Sequence, residues 1–173
     1  RLKVIFYAFK RPVLPSLMGL FFLGILAMAN MEASLFLYVK DELGWGMSTA
    51  SYGFAYVGLI MVFTQGYLIR KLMPKWGERK TLIVGLILLG VGLAGIGSTT
   101  NLALLCLFVT TLAVGNGLMH PSATGSISLV AKKDEQGGIM GVNQSLSALA
   151  RIVGPVIGGF LYRDISHSFP FYF

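Results

Sequence analysis

The sequence predicts an all-α membrane protein, and its composition and the length of its apolar runs are the main reasons. Hydrophobic residues make up 55% of the 173-residue chain, whereas charged residues make up only 12%. A soluble domain carries about 25% charged residues, so this chain has too few to cover a surface in water. Several apolar runs are long enough to cross the roughly 30 Å hydrocarbon core as helices. The 22 glycines are typical of closely packed membrane helices.

Five apolar runs and part of a sixth define the predicted spans, which we treat as one transmembrane bundle over residues 1–173. Polar or charged residues separate the runs, and a basic, aromatic segment precedes the first. We expect interruptions of the fourth run at 115–117 and at His120-Pro121. The predicted spans cover residues 15–38, 48–72, 81–97, 102–129 and 137–162, with a partial span at 168–173.

Basic residues alternate between the two sides of this bundle and predict its orientation. The loops on one side carry only Lys40 and Arg163. The positive-inside rule places the other, strongly basic side in the cytoplasm, together with the N-terminus of this segment. This asymmetry accounts for the net charge of +7 with no nucleic acid as partner. The basic side comprises Arg1, Lys3, Lys10, Arg11, Arg70, Lys71, Lys75, Arg79, Lys80, Lys132 and Lys133.

The stretch 141–159 carries the most specific pattern in the chain. It lies in an apolar run whose only charged residue is Arg151. On a helix, one of its faces gathers polar side chains and bare backbone, and that face should pack against other helices because lipid offers it no hydrogen bonds. Pro155 removes a backbone donor and is expected to bend the helix. The predicted packing face comprises Gln144, Ser147, Arg151, Gly154 and Gly158.

The spacing of this stretch resembles the antiporter motif of the major facilitator superfamily, G-x8-G-x3-G-P-x-x-G-G. One glycine of the motif is replaced by Ala150, and all other positions match. The alternative is a closely packed helix with no transport role. The matching positions, for which we predict a packing role, are Gly141, Gly154, Pro155, Gly158 and Gly159.

A second segment is similar to the cytoplasmic loop motif of the same family, G-x-x-x-D-[RK]-x-G-R-[RK]. Here Arg70 stands at the aspartate position, and four extra residues precede Gly77. Because the aspartate is absent, the gating charge relay of the family does not carry over directly to this loop. The alternative is a topology signal that also contacts lipid headgroups. The motif positions in this chain are Gly66, Arg70, Lys71, Gly77, Arg79 and Lys80.

The resemblance covers essentially the whole chain and implies half of a major facilitator fold. Such a half consists of two inverted three-helix repeats, here with five full transmembrane helices and a truncated sixth. The degraded loop motif implies the C-terminal half, helices seven to eleven plus the start of twelve, so an N-terminal half-bundle is an expected partner. The chain is also similar to the tetracycline-resistance-like, drug–proton antiporter branch, which implies a bacterial inner membrane.

Polar residues inside the predicted spans are candidates for a substrate or proton pathway. Glu32 is the only acid well inside a span, where a charge costs about 2.5–3.5 kcal/mol on insertion scales. Three interpretations of Glu32 stay open: a protonatable or cation-binding group, a structural pair with Arg151, or a carboxylate wetted near the outer interface. The candidates are Asn30, Glu32, Asn116, His120, Gln144 and Arg151.

The other candidates carry their own alternatives. Arg151 resists deprotonation, so it either holds a carboxylate or clamps helices together. His120 titrates in a useful range and is either a proton relay or a packing histidine. Asn30 and Asn116 occupy comparable helices of the two repeats, and we expect both to face a central cavity.

These features predict a secondary active transporter that exports small hydrophobic or drug-like molecules by alternating access, coupled to protons. Two alternatives stay open: an uptake permease for a sugar, nucleoside or organic anion, and a non-transporting structural or assembly subunit. An aromatic stripe of Tyr52, Tyr56 and Phe63 suits either hydrophobic substrates or plain packing. The sequence has no metal-ligand spacing, phosphate-binding loop or hydrolase motif, so we expect no metal, no cofactor and no enzymatic activity. The expected partners are a small-molecule substrate, protons, the lipid bilayer and the missing half-bundle.

Overall fold

The structure is a computed structural model, and it describes residue 10 and residues 13–172. Long helices make up almost all of these residues. Most of the predicted basic segment 1–11 lies outside the described residues, as does Phe173. The helices are α1 (Val13–Leu43), α2 (Met47–Phe63), a π-helical turn (Thr64–Leu68), α3 (Ile69–Gly97), α4 (Leu102–Val130), α5 (Gln136–Asp164) and a final 3-10 turn (Phe169–Phe171).

Four helical segments among the described residues are long and apolar enough to cross a membrane. Between 33% and 50% of each apolar window is buried inside the protein, so much of each segment is free to face lipid. These segments confirm an all-α, multi-pass integral membrane protein. They are Val13–Leu43, Met47–Gly97, Leu102–Val130 and Gln136–Asp164.

The second of these segments turns back on itself at Gly77. This residue has φ 74° and ψ 166°, a non-helical conformation that is essentially restricted to glycine. Thr64 before it and Gly85 after it both lie against α4 at 115–117. A straight helix would hold those two positions roughly 30 Å apart. The chain therefore reverses at Gly77, and the parts of the segment on either side run in opposite directions.

The sequence predicts a basic loop over residues 70–80; the chain does reverse within this segment, but the extent of the loop is wrong, because only Gly77 is non-helical. Arg70 and Lys71 belong to a helix that continues from the π-helical turn, and Arg79 and Lys80 belong to the next helix. Gly77 is the only non-helical residue of α3. Arg, Lys, Leu, Met and Glu all favour helix, and long basic side chains reach headgroups without unwinding the backbone.

The predicted interruption of the fourth span is also wrong, because α4 is a continuous helix. Its glycines instead allow neighbouring helices to approach closely. A Cβ on Gly115 would meet the backbone of α3, with the Gly85 carbonyl at 2.8 Å. A Cβ on Gly117 would lie 2.7 Å from the Thr64 methyl group.

Close glycine contacts also show how α3 and α4 run relative to each other. Gly92 on α3 lies against Leu112, while Gly85 lies against Met119, so α3 and α4 are antiparallel there. Buried apolar side chains gather in two clusters, one around the first half of α1 and one around its second half. Any polar site in the bundle must lie between or beside these clusters.

Polar contacts join the end of α1 to the end of α5 and to the segment that follows it. The Tyr162 hydroxyl donates to the Asp41 carboxylate at 2.7 Å. The His167 Nδ1 lies 2.9 Å from the Glu42 carboxylate, and the rings of Tyr162 and His167 stack at 4.6 Å. These contacts keep the ends of two parallel helices together on the side away from Gly77.

We predict that Gly77→Ala destabilises the protein by about 1–3 kcal/mol, because a Cβ strains the backbone at this φ and ψ. The matched control is Gly90→Ala, at a helical position of α3 with no atom within 4 Å of a built Cβ. That control should be neutral or slightly stabilising, since alanine favours helix. The measurement is the midpoint of thermal unfolding in detergent. Equal midpoints for the two variants would contradict the assignment of a reversal at Gly77.

Candidate functional site

A polar cavity of about 410 Å³ lies between the two core clusters, with Ile25 from one cluster and Met28 from the other in its wall. Four helical segments contribute to it, and its polar side chains come from all four. Its lining is Ile25, Met28, Ala29, Glu32, Met61, Gln65, Asn116, His120 and Arg151.

One face of α1 forms the first wall. Ile25, Met28 and Glu32 repeat at helical spacing, so their side chains point the same way. Glu32 is exposed to the cavity, whereas its neighbour Met31 is 2% exposed and packs in the core. The rotation of α1 about its axis therefore directs the Glu32 carboxylate into the cavity.

Asn116 and His120 lie one turn apart on α4 and form the second wall. Asn116 is 7% exposed, and its amide oxygen has no hydrogen-bond partner among the described residues. Its amide nitrogen makes only a long contact of 3.9 Å to the Met61 sulfur. Phe21 packs edge-on against the His120 ring at 5.1 Å, which fixes the imidazole at the cavity. A buried acceptor with no partner is available to a ligand or to water.

The π-helical turn Thr64–Leu68 brings Gln65 to the cavity. Thr64 is fully buried against Gly117, and its hydroxyl donates to the Ile60 carbonyl at 2.8 Å. A π-helical turn accommodates an extra residue and so rotates the side chains that follow, and such turns are frequent at functional sites. Sequence reasoning missed Gln65, although an amide in the middle of an apolar span is a signal that could have found it.

Arg151 on α5 completes the cavity and places a cation opposite the Glu32 carboxylate. Both side chains are exposed to the cavity, and no ion pair joins them in the described part of the chain. The structural pair between Glu32 and Arg151 that the sequence left open is therefore not formed in this structure. The cavity thus holds two charges that are free to interact with a substrate, with water or with protons.

Two predicted site residues do not line this cavity. Asn30 is 2% exposed, and its amide donates to the Pro170 carbonyl at 2.7 Å. It lies two residues from Glu32, which is about 200° around a helix, so the expectation that it faces the same cavity is wrong. Gln144 is exposed on α5, about two turns from Arg151, and is not part of the lining.

The packing face of α5 differs from the predicted one. The polar side chains Gln144 and Arg151 are exposed, so they do not belong to the buried stripe, and their place is taken by residues one position earlier. The helix is continuous through Pro155, and a bend there stays a prediction. The buried residues are Ile139, Asn143, Ser147, Ala150, Gly154, Gly158, Leu161 and Tyr162.

The antiporter-like motif is divided between two faces of α5. A Cβ on Gly154 would lie 2.8 Å from the Ala29 Cβ and 3.0 Å from the Asn30 backbone nitrogen. Gly158 lies equally close to Asn30 and Ser34. These two glycines thus bring α1 and α5 into backbone contact, as predicted.

The other motif positions make no comparably close contact with a neighbouring helix in the described part of the chain. A Cβ built on Gly141 or Gly159 would meet no atom within 4 Å, and Pro155 is exposed. Within the described part of the chain, close backbone packing is seen only at Gly154 and Gly158, and a packing role for Gly141, Pro155 and Gly159 stays a prediction. The remaining positions lie on a face that no described residue covers.

Comparisons with known proteins agree with this architecture. The model of the Major Facilitator Superfamily matches residues 20–173. Multidrug resistance protein 1 of Bacillus subtilis is 31% identical over 84% of this chain and 37% of its own length. Tetracycline resistance protein, class B, of Escherichia coli is 25% identical over 78% of this chain and 32% of its own length.

A eukaryotic relative is similar as well. Hippocampus abundant transcript-like protein 1 of Mus musculus is 28% identical over 82% of this chain and 28% of its own length. The chain thus spans about a third of the length of the curated relatives it matches. No solved structure gives a significant match.

We predict that Gly154→Ala and Gly158→Ala each destabilise the protein by about 1–3 kcal/mol, because overpacking forces α1 and α5 apart. Gly141→Ala and Gly159→Ala are the matched controls in the same helix and motif, and they should leave the unfolding midpoint of the protein unchanged. A midpoint shift of the same size for all four variants would contradict the division of the motif between two faces.

Proposed function

The chain belongs to the Major Facilitator Superfamily, and we propose that it forms the C-terminal half of a transporter that exports small hydrophobic molecules in exchange for protons. The family and the names of the relatives point to a transporter and not to an enzyme. The observation that carries the proposal is the polar cavity, in which Glu32, His120 and Arg151 meet near the middle of long apolar helices.

The reversal at Gly77 supports the assignment to one half of the fold. It divides Met47–Gly97 into two membrane crossings, so the four long segments become five, which we assign to helices seven to eleven. The predicted partial span at 168–173 begins helix twelve in this proposal. The basic residues near Gly77 and between α4 and α5 then lie in the cytoplasm, and the membrane is the bacterial inner membrane.

The open side of the cavity supports the proposed N-terminal half-bundle as partner. Ala50 is the only buried residue that α2 has, and α2 leaves Tyr52 and Phe63 exposed at 77% and 58%. The uncovered motif positions of α5 include Gly141 and Gly159. Because α2 and α5 both contribute to the cavity wall, a second bundle seated on these faces would enclose the cavity from its open side.

The lining residues suggest separate roles in proton binding and substrate binding. Glu32 is the proton carrier in this proposal, because Arg151 keeps its charge and cannot release a proton. The unpaired amide oxygen of Asn116 and the amide of Gln65 orient the substrate. Met28 and Met61 supply adaptable, polarisable contacts for its apolar part. Occupation by the proton or by the substrate then favours opposite openings of the cavity, as alternating access requires.

We predict that Glu32→Gln reduces proton-driven transport by the full-length protein to background, because the neutral amide cannot exchange a proton. The measurement is accumulation of ethidium or tetracycline in everted membrane vesicles with an imposed proton gradient. Glu42→Gln is the matched control, since this carboxylate lies at the end of α1, beside His167 and away from the cavity. The control should transport normally.

Each other outcome has a defined meaning. Normal transport by Glu32→Gln with an unchanged pH profile would remove Glu32 as the coupling group. Accumulation that persists after the proton gradient is abolished would exclude antiport. Flux in the opposite direction would favour an uptake permease for a sugar, nucleoside or organic anion. A stable protein that neither binds nor moves any probe would favour a structural or assembly subunit.

A further inference from the structure

A second, larger cavity of about 800 Å³ opens between the start of α1, the reversal at Gly77 and the end of α4. It shares no lining residue with the polar cavity. Most of its wall is apolar, contributed by side chains such as Leu17, Leu20 and Leu129. Its only cationic lining residues are Arg79 and Lys80. We call it the turn groove.

The reversal at Gly77 explains why charge and apolar surface meet in this place. The helix before it ends with Trp76, which is 43% exposed in the groove wall, and tryptophan favours the membrane–water interface. The helix after it begins with Arg79 and Lys80 in its first turn. Cations in a first turn oppose the helix dipole, whereas an anion placed there is stabilised.

The neighbouring carboxylate also lines the groove, but it can offset only one of the two positive charges. Glu78 is half-buried and turns toward α4, where its Oε1 lies 2.8 Å from the position of a Cβ on Gly125. No ion pair joins Glu78 to Arg79 or Lys80 in the described part of the chain. Both cations are exposed at the mouth of an apolar groove, so an anionic group that carries a hydrocarbon chain complements both of its parts.

We propose that the turn groove binds an anionic glycerophospholipid from the surrounding leaflet. The charged headgroup contacts Arg79 and Lys80, and an acyl chain lies along Leu17, Leu20 and Leu129. Basic pockets between membrane helices are known recognition sites for anionic lipid headgroups. A dissolved anion such as phosphate would use the cations but not the apolar wall. The site is independent of the transport cycle proposed above, so either proposal can fail without the other.

Trp76 provides a reporter inside the groove. The full-length protein is reconstituted in vesicles that contain phosphatidylglycerol or phosphatidylcholine brominated on one acyl chain, since bromine quenches tryptophan on contact. The difference between the unmodified protein and Trp76→Phe isolates the emission of Trp76 from that of Trp45 and of any other tryptophan. We expect brominated phosphatidylglycerol to quench Trp76 several times more strongly than brominated phosphatidylcholine does. The upper bound of this preference is about fivefold for each basic residue in contact with the headgroup.

The test compares two pairs of basic residues. Arg79→Gln/Lys80→Gln should bring the quenching ratio of the two lipids to about one. Lys132→Gln/Lys133→Gln removes the same charge from the turn between α4 and α5, outside the groove, and should leave the ratio unchanged. If the first double variant cannot be purified, Lys80→Gln alone should lower the ratio severalfold.

Three results would overturn the proposal. The first is a ratio near one for the unmodified protein. The second is an equal loss of preference in both double variants, which would show attraction to the general surface charge. The third is loss of the preference on adding millimolar glycerol phosphate, which would show a site for the headgroup anion alone.

Discussion

The backbone contact between α1 and α5 is the constraint on which the rest of the site depends. Gly154 and Gly158 let α5 approach α1 at Ala29 and Asn30 so closely that a single methyl group would not fit. This contact fixes the rotation of α1 about its axis. With Ala29 and Asn30 turned toward α5, Glu32 is directed into the cavity and Asn30 away from it. The carboxylate is therefore placed by two glycines on another helix.

The same kind of contact recurs between α3 and α4, at Gly85, Gly92 and Gly115. Lipid tails are as apolar as leucine, so the hydrophobic effect does little to hold membrane helices together, and close packing takes its place. In both helix pairs, glycines let the neighbouring helix approach so closely that a Cβ would not fit. The polar cavity lies where α1, α4, α5 and the π-helical turn do not close on one another, and there charged and amide groups line an open space.

The sequence predicted most of the helices, because apolar length and polar boundaries are local signals. The packing role of Gly154 and Gly158 was also predictable, since small residues at helical spacing have that effect wherever they meet a partner. The helical nature of residues 70–80 was missed because their charge suggested a loop, whereas their helix propensity decides the backbone and Gly77 alone provides the turn. Which polar residues share a cavity was only partly predictable. Asn30 was expected at the cavity and is not part of its lining, whereas Gln65 was not expected and is. Both differences arise because helix rotation and a π-helical turn depend on tertiary contacts.

The orientation of α1 is the central claim, and accessibility of engineered cysteines to a charged thiol reagent tests it most directly. In a full-length background with Cys106 replaced by serine, Met28→Cys and Glu32→Cys should react from water. Asn30→Cys and Ser34→Cys should stay unreactive, because both positions are buried against Gly158. Reaction of positions 30 and 34 with protection of 28 and 32 would mean that α1 presents its other face to the cavity and would contradict the account.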